Sequence, residues 1–420
     1  MNTQINRRSF LAAGAAAATL ASFPVLGAER RRKRIALIGT EVREHSHAQH
    51  FIDRFLLGYT WKGGWRRPDV DLVSLYIDQF PKNDLARGTA RRHNVPIYPT
   101  IAEALTLGGS KLAVDGVVVI AEHGDYPKTE KGQTRYPRYK FFKEIVKVFE
   151  ASGRSVPVFN DKHLSTDWKE CTEMVADSKR LGFPFLAGSS LPVTRRMPAL
   201  DLPHGMPLAE SVCAAYGGMD SYDIHGLETA QCMSERRLGG ETGISRVHAL
   251  RGEAMWNYVA GRGATKHLLV AALTRSHNLP VKDGYPTDRV TFEWAREAFP
   301  SGWAYFIDHR DGLRTTLFML GIRDFNYAGL NAKTGEIVSC QMYLPMPTHG
   351  SSTADFFNPL VNHIEHMVVN NKAPYPVERT LLTSGMTIAG VDSFHKGQPI
   401  ETPEMGVRYK VPATSWYWRD

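Results

Sequence analysis

Short apolar segments alternate with amphipathic helical segments from residue 33 to about residue 190, and this alternation constrains the fold more than any other feature. The segment "VDGVVVIAEHG" is apolar almost throughout, which is typical of a strand buried on both faces of a parallel sheet. Parallel neighbours need a long crossover between them, and helical segments occupy those positions here. The sequence therefore predicts an α/β fold with a Rossmann-type, doubly wound parallel sheet over residues 33–190.

The individual elements of this sheet follow from local patterns. We predict strands at "RIALIGT", "DLVSLYID", "VPIYP", "VDGVVVIAEHG", "VPVFND" and "FPFLAGSS". Thr100 is the expected N-cap of the helix "TIAEALTLG", and Thr166 that of "TDWKECTEMVADSKRLG". Gly153 is expected to end the helix "YKFFKEIVKVFEASG", and Gly182 to end "TDWKECTEMVADSKRLG".

The pattern changes in the second half of the chain. Strand-like segments, "GISRVHALRG", "GWAYFIDHRDG", "LRTTLFMLGI" and "EIVSCQMYLP", follow one another without regular intervening helices. This pattern predicts a second domain over residues 191–420, an α+β domain with an open antiparallel sheet. Two helices near the end, "FFNPLVNHIEHMVVNN" and "VERTLLTSGMTIAGVDSFHKG", are expected to pack back on the first domain. The four scattered cysteines indicate core positions, and the sequence leaves open one disulfide formed after export.

The first 28 residues have the layout of a twin-arginine export signal. Arg7 and Arg8 in "NRRSFL" precede the Ala-rich run "LAAGAAAATLASFPVLGA", which is only weakly apolar and short for a transmembrane span. We expect cleavage near Ala28 and a periplasmic or extracellular protein with no membrane contact after cleavage.

The formal charge of +8 is concentrated at the N-terminus. Seven basic residues against one acid, Glu29, lie in or beside the signal: Arg7, Arg8, Arg30, Arg31, Arg32, Lys33 and Arg34. The rest of the chain has no basic patch with interleaved aromatic residues, so we do not expect nucleic acid as a partner. The sequence is compatible with a homo-oligomer.

Acids and histidines concentrate where the predicted strands end. They are Glu41, Glu44, His45, Asp78, Glu122, His123, Asp125, Asp161 and His163. Parallel sheets bind ligands at the carboxyl ends of their strands, so a small-molecule site is expected there. Imidazole and carboxylate groups also suit zinc, manganese or iron, and the candidates of these types are Glu41, Glu44, His45, His47, Glu122, His123, Asp161 and His163.

The series "IALIGT…HA", "LVSLYID…ARRHNVPIYPTIAEAL", "VDGVVVIAEHG", "VPVFNDKHLS", "DSYDIHGLETA" and "NNKAPYPVERTLLTSGMTIAGVDSFHKGQPIE" resembles the glucose-fructose oxidoreductase/inositol dehydrogenase (Gfo/Idh/MocA) family. The resemblance covers nearly the whole chain after the signal. It implies a Rossmann domain followed by an α/β domain, bound NAD or NADP, and a sugar, polyol or sugar derivative as substrate.

Carried over residue by residue, the resemblance implies a cofactor site at Gly39, Thr40, Asp78, Glu122 and Lys162. Gly39 matches the first glycine of the family's GxGxxG motif, whereas Glu41 and Glu44 replace the other two. A carboxylate at the second glycine position adds bulk and negative charge where bare backbone approaches the pyrophosphate. We therefore predict that this loop does not hold a dinucleotide in the usual pose.

The resemblance also implies the catalytic residues Lys162, His225 and Glu228. Asp161, Lys162 and His163 stand in for the family's Glu-Lys-Pro motif, and His225 and Glu228 match a second motif that has Asp223 at its glycine position. A lysine beside an imidazole can take the proton of a sugar hydroxyl. Glu228, one helical turn from His225, is expected to orient the imidazole.

Two other functions remain open at this point. A divalent metal held by Glu41, Glu44, His45, Glu122 and His123 would support a non-redox lyase, isomerase or hydrolase acting on carbohydrate. The same scaffold would also serve a non-catalytic carbohydrate-binding protein.

Overall fold

The structure is a computed structural model that describes residues 31–280, 290–345 and 353–419. The predicted signal, residues 1–28, lies outside the described residues. From residue 33 onward the chain forms one compact unit, and the predicted domain boundary near residue 190 stays a prediction. Among the described helices, none combines the length and apolar character that crossing a bilayer requires.

The strands occur in two main sheets and one short hairpin. In chain order they are β1 (Lys33–Gly39), β2 (Tyr59–Trp61), β3 (Gly64–Arg66), β4 (Val70–Ile77), β5 (Gly116–Ile120), β6 (Val158–Asp161), β7 (Phe185–Gly188), β8 (Arg196–Met197), β9 (Leu208–Ala215), β10 (Ile244–Arg251), β11 (Trp303–His309), β12 (Arg314–Met319), β13 (Phe325–Asn331), β14 (Ile337–Met342) and β15 (Ile400–Glu401).

The helices lie between and after these strands. In chain order they are α1 (His47–Leu57), α2 (Ala86–His93), α3 (Ile101–Thr106), α4 (Arg138–Ser152), α5 (Trp168–Leu181), α6 (Asp223–Ser234), α7 (Gly252–Ala260), α8 (Gly263–Leu273), α9 (Phe292–Ala298), α10 (Asn358–Asn370) and α11 (Glu378–Lys396), with short 3-10 helices at Leu191–Val193 and Asp355–Phe357.

The first sheet is parallel throughout, in the order β4-β1-β5-β6-β7. Every residue of β5 is buried, because α1 and α10 cover one face of the sheet and α3, α4 and α5 cover the other. The predicted strand "VPIYP" is reduced to a single parallel bridge between Leu75 and Ile97. The predicted doubly wound parallel sheet is confirmed, as is the return of a C-terminal helix onto it.

The second sheet has eight strands in the order β15-β10-β11-β12-β9-β13-β14-β8. It is open, and its pairs are antiparallel except for β9 with β12. Helices α6 and α11 pack on one face. The expectation of no regular helices among these strands is wrong, because α7, α8 and α9 lie between β10 and β11 and bury their apolar residues on the other face.

Most helix ends match their local signals. The Thr100 side chain accepts a hydrogen bond from the Glu103 amide, and α4 and α5 end at glycines in the left-handed conformation. The cap of α5 is a correction: Asp167, rather than Thr166, accepts the Glu170 amide hydrogen. All four cysteines, Cys171, Cys213, Cys232 and Cys340, are free and buried.

His363 in α10 makes the stability of this packing depend on pH. Its Nε2 lies 2.8 Å from the Trp416 carbonyl oxygen, and burial lowers the pKa of His363 to about 4, against the smaller opposing effect of that carbonyl. The unfolded imidazole, with a pKa of about 6.5, therefore binds a proton first as the pH falls. The contribution of His363 to stability is therefore complete above pH ~6.5 and is lost progressively as the pH falls towards ~4.

Between about pH 7 and pH 5, we expect wild type to lose about 2 kcal/mol more unfolding free energy than His363→Gln, which has no imidazole to protonate. Urea unfolding at both pH values measures the difference. His395→Gln is the matched control, because His395 is exposed in the last turn of α11. An equal pH dependence of wild type and His363→Gln would contradict the prediction.

Candidate functional site

A cavity of about 420 Å³ lies at the carboxyl ends of the first sheet's strands. The start of α1, the ends of β5 and β6 and the first turn of α6 contribute His47, Glu122, Lys162 and His225 to its wall. Strand order reverses between β1 and β5, and ligands of open α/β sheets bind at such a switch point. The cavity therefore has the position expected of a ligand site in this fold.

Lys162 and His225 meet at this cavity. Lys162 Nζ lies 2.6 Å from His225 Nε2, and the two residues are 3% and 6% exposed. The backbone of Lys162 has a φ of 68°, a left-handed conformation that is uncommon for a residue with a Cβ. Its amide donates to the Gly188 carbonyl at 3.2 Å, so neighbouring strand β7 holds this turn in place.

The surroundings of the pair determine its protonation state. Burial lowers the pKa of His225 well below its ordinary value, and the charge of Lys162 lowers it further. A neutral imidazole accepts the Lys162 hydrogen at Nε2, and its Nδ1 faces Ser189 Oγ at 2.5 Å. Because two positive charges at this distance repel each other, the pair carries a single excess proton.

Glu228 reaches His225 only indirectly. Its carboxylate is fully buried and accepts hydrogen bonds from the Ser189 amide at 2.8 Å and the Thr380 hydroxyl at 2.7 Å. Ser189 therefore links the two residues: its amide donates to Glu228, and its hydroxyl lies beside His225 Nδ1. Ser189 was not predicted as a site residue, although it directly follows β7 in the segment "GSS".

Gly188 makes this arrangement possible. A Cβ at this position would come within 2.4 Å of Glu228 Oε2, and the backbone has a φ of 109°. Only glycine adopts this conformation readily, so the close approach of Glu228 to β7 depends on it.

Glu122 and His47 extend the site towards β1. Glu122 Oε1 lies 3.1 Å from Lys162 Nζ, and its Oε2 lies 3.1 Å from His47 Nδ1. Burial by itself raises the pKa of Glu122, but the positive charges of His47 and Lys162 hold it well below its ordinary value. His47 Nδ1 is also 2.7 Å from Asp161 Oδ2. From the sequence, His47 was considered as one of the imidazole groups suited to a metal ion, without a place in the catalytic pair.

The other predicted cofactor residues lie at the ends of β1 and β4. Gly39 ends β1, and the buried hydroxyl of Thr40 donates to the Glu122 carbonyl at 2.6 Å. Asp78 is exposed, and its two carboxylate oxygens accept hydrogen bonds from Tyr76 and Tyr126 at 2.7 Å each. Of these residues, the structure brings Glu122 and Lys162 together and leaves Asp78 apart from them.

The loop that replaces the glycine motif satisfies its own polar groups. Glu41 is 6% exposed and accepts a hydrogen bond from Arg43 Nε at 2.7 Å. Ser46 Oγ accepts the amide hydrogens of Arg43 and Gln49, and Gln49 Oε1 accepts that of His45 at 2.7 Å. These amides, which would face a pyrophosphate, are already paired, so the residues present do not fit a dinucleotide in the usual pose.

Contacts between neighbouring loops close the same region. Gln79 after β4 and Asp125 after β5 exchange two hydrogen bonds of 2.9 Å, and Tyr126 donates to Asp78. Because β1 lies between β4 and β5, these contacts span the carboxyl end of β1, which an extended dinucleotide must cross.

The five residues named together as a metal site from the sequence, Glu41, Glu44, His45, Glu122 and His123, do not form one group. Glu41 pairs with Arg43, the Glu44 side chain is 78% exposed, and the His123 ring centroid is 6.3 Å from that of His47. Within the described ranges, the group whose ligand atoms lie within 4.8 Å of one another is His47, Glu122 and Asp161. Of the alternative set, only Glu122 belongs to this group.

Comparison with known proteins gives the fold. No family model and no curated protein sequence matches the chain. Solved structures do match. Myo-inositol dehydrogenase from Lactobacillus casei, in complex with NAD(H) and myo-inositol, has 10% identity and a TM-score of 0.56 over 91% of this chain and 99% of that one.

Two further structures agree. GenD2 from gentamicin A biosynthesis, in complex with NAD, has 13% identity and a TM-score of 0.54 over 88% of this chain and 96% of that one. A probable dehydrogenase from Thermotoga maritima has 11% identity and a TM-score of 0.52 over 88% and 98%. These similarities show the fold, a Rossmann-like parallel sheet followed by a second, mixed sheet, as the sequence analysis predicted.

Proposed function

We propose that this protein is an enzyme that acts at a hydroxyl-bearing carbon of a sugar, polyol or sugar derivative, with Lys162 and His225 as its proton-transfer pair, and that its reaction belongs to the oxidoreductase class. The observation that carries this proposal is the 2.6 Å contact between Lys162 Nζ and His225 Nε2 at the wall of the cavity. The fold shared with inositol dehydrogenases supports the substrate class.

The pair suits transfer of one proton to or from a substrate oxygen. Lys162 holds the excess proton, with Glu122 Oε1 at 3.1 Å as its counter-ion and His225 as the acceptor on its other side. A substrate carbonyl oxygen that replaces the His225 contact would receive this proton. In the opposite direction, the neutral pair would take the proton of a hydroxyl group.

Oxidation or reduction also needs a hydride carrier, and NAD or NADP is the one that the fold suggests. The loop from Glu41 to Ser46 does not fit a dinucleotide in the usual pose. Redox chemistry therefore requires a pose that avoids Glu41, so we assign no step of the mechanism to the cofactor.

A redox-neutral reaction is the second candidate, and the group of His47, Glu122 and Asp161 favours it. Carboxylate and imidazole groups beside a proton-transfer pair could promote elimination, isomerisation or hydrolysis of a carbohydrate.

A substrate panel distinguishes these functions. The protein is incubated with myo-inositol, free hexoses and disaccharides, with NAD(P)⁺, NAD(P)H or no dinucleotide, and products are followed by NMR. We expect turnover of at least one polyhydroxy compound. Binding of a sugar without turnover under any condition would indicate the non-catalytic function and overturn the proposal.

Glu41→Gly tests why the dinucleotide site does not fit. The change removes a buried negative charge and releases Arg43 to meet a phosphate, so we expect NAD(H) to bind at least about tenfold more tightly, measured by calorimetry. Glu44→Gln is the matched control, because it removes the same charge from an exposed side chain of the same loop. Tight wild-type binding that Glu41→Gly weakens would show instead that this carboxylate is a cofactor ligand.

We also propose export by the twin-arginine pathway and a periplasmic or extracellular location. The support is the segment with Arg7 and Arg8 ahead of the Ala-rich run. Replacing both arginines by lysine should leave precursor in the cytoplasm, and normal export of that variant would overturn this part of the proposal.

A further inference from the structure

We propose that His47, Glu122 and Asp161 bind one divalent transition-metal ion, such as Mn²⁺ or Zn²⁺, at the edge of the cavity. One nitrogen and two carboxylate oxygens from three separate elements, α1, β5 and β6, converge there. All three belong to the histidines and acids that the sequence marked as suited to a metal, but the set of five that it named for one site shares only Glu122 with this group. The inference does not depend on the proton-transfer role of Lys162 and His225.

The distances suit a metal ion. His47 Nδ1 lies 2.7 Å from Asp161 Oδ2 and 3.1 Å from Glu122 Oε2. Ligand atoms about 2.1 Å from a metal ion lie roughly 3 Å from one another. Small side-chain movements would therefore bring all three atoms into coordination.

Charge and hydrogen bonding give a second, independent argument. A single His47 nitrogen faces both carboxylates, and one N–H hydrogen satisfies only the nearer, Asp161. Glu122 Oε2 is buried and has no hydrogen-bond partner among the described residues. A buried carboxylate oxygen without a partner is costly, and a cation at this point would satisfy it together with Asp161, which is 2% exposed.

The position also gives such an ion a role. His47 and Glu122 line the cavity, so an ion with three protein ligands would keep coordination positions open towards a bound molecule, as catalytic zinc sites do. Adjacent hydroxyl groups of a polyol can chelate such an ion. The ion would lower the pKa of a bound hydroxyl, and Glu122 would connect it to Lys162 through its other oxygen.

Metal titration of the full chain tests the site. The protein is stripped with EDTA, then titrated with Mn²⁺ followed by electron paramagnetic resonance and with Zn²⁺ followed by calorimetry. We expect one ion per chain, and we expect Asp161→Asn and His47→Gln each to weaken binding at least about a hundredfold. Metal should also raise the Tm of wild type but not of these variants, and their melting without metal shows whether they fold.

Two control variants sharpen the result. Glu44→Gln removes an exposed carboxylate from the α1 loop and should leave metal binding unchanged. Lys162→Met removes the cation beside Glu122, so it should preserve or strengthen metal binding while it disables the proton-transfer pair. The proposed function and the metal site can therefore fail separately.

The opposite results would overturn the site. These results are an absence of metal uptake by wild type, or a metal affinity of Asp161→Asn equal to that of wild type.

Discussion

Lys162→Met is expected to lower kcat/KM by about 10²- to 10⁴-fold for the substrate that wild type turns over best, with a much smaller change in KM. Methionine keeps the length of the side chain but has no exchangeable proton. The effect should fall on kcat because the proton moves in the transition state, whereas other cavity residues still bind the substrate.

Several variants make this expectation specific. Lys162→Arg should not restore activity, because a guanidinium does not release its proton in proteins. His225→Gln should lower activity and change the pH profile of kcat/KM, since the acceptor of the shared proton is lost. Lys143→Met is the matched control: Lys143 pairs with Asp177 outside the site and its loss should leave kcat/KM unchanged. Activity within tenfold of wild type in Lys162→Met would contradict the proposed role.

Arg379→Met should cost about 3 to 5 kcal/mol of unfolding free energy, measured by urea unfolding. The Arg379 guanidinium makes two hydrogen bonds to Glu235, of 2.9 and 2.5 Å, and both residues are at most 2% exposed. The variant leaves the Glu235 carboxylate buried, and among the described residues the Tyr409 hydroxyl, at 2.7 Å, is its remaining hydrogen-bond donor.

The double variant Arg379→Met/Glu235→Leu separates charge from packing. Because it removes both charges, it should recover most of the stability that the single variant loses. Lys147→Met breaks an exposed pair with Glu144 and should cost less than about 1 kcal/mol. If the double variant were as unstable as the single one, packing rather than the buried charge would explain the loss.

The sequence by itself determined the five strands of the first sheet and the helices between them, but it did not predict the β2–β3 hairpin, and the predicted strand "VPIYP" forms only a bridge. An uninterrupted apolar run such as that of β5 has little alternative to a strand buried on both faces, and residues such as Thr100, Gly153 and Gly182 end helices through local hydrogen bonding and backbone conformation. Helices α7 to α9 were not predicted, because their apolar residues can be recognised as a buried helix face only once the second sheet that they cover is known.

The candidate site was only partly visible in the sequence. Lys162 and His225 were predicted from a resemblance, and the charge of Glu41 predicted a loop unsuited to a dinucleotide in the usual pose. The hydrogen bonds within that loop were not predicted. What the tertiary structure alone decided is which groups meet: Ser189 between His225 and Glu228, and His47 between Glu122 and Asp161. These contacts join residues up to 114 positions apart. They arise because the carboxyl ends of parallel strands, and the loops and helices that follow them, lie at the same edge of a sheet. Local sequence patterns do not show which residues become neighbours at that edge.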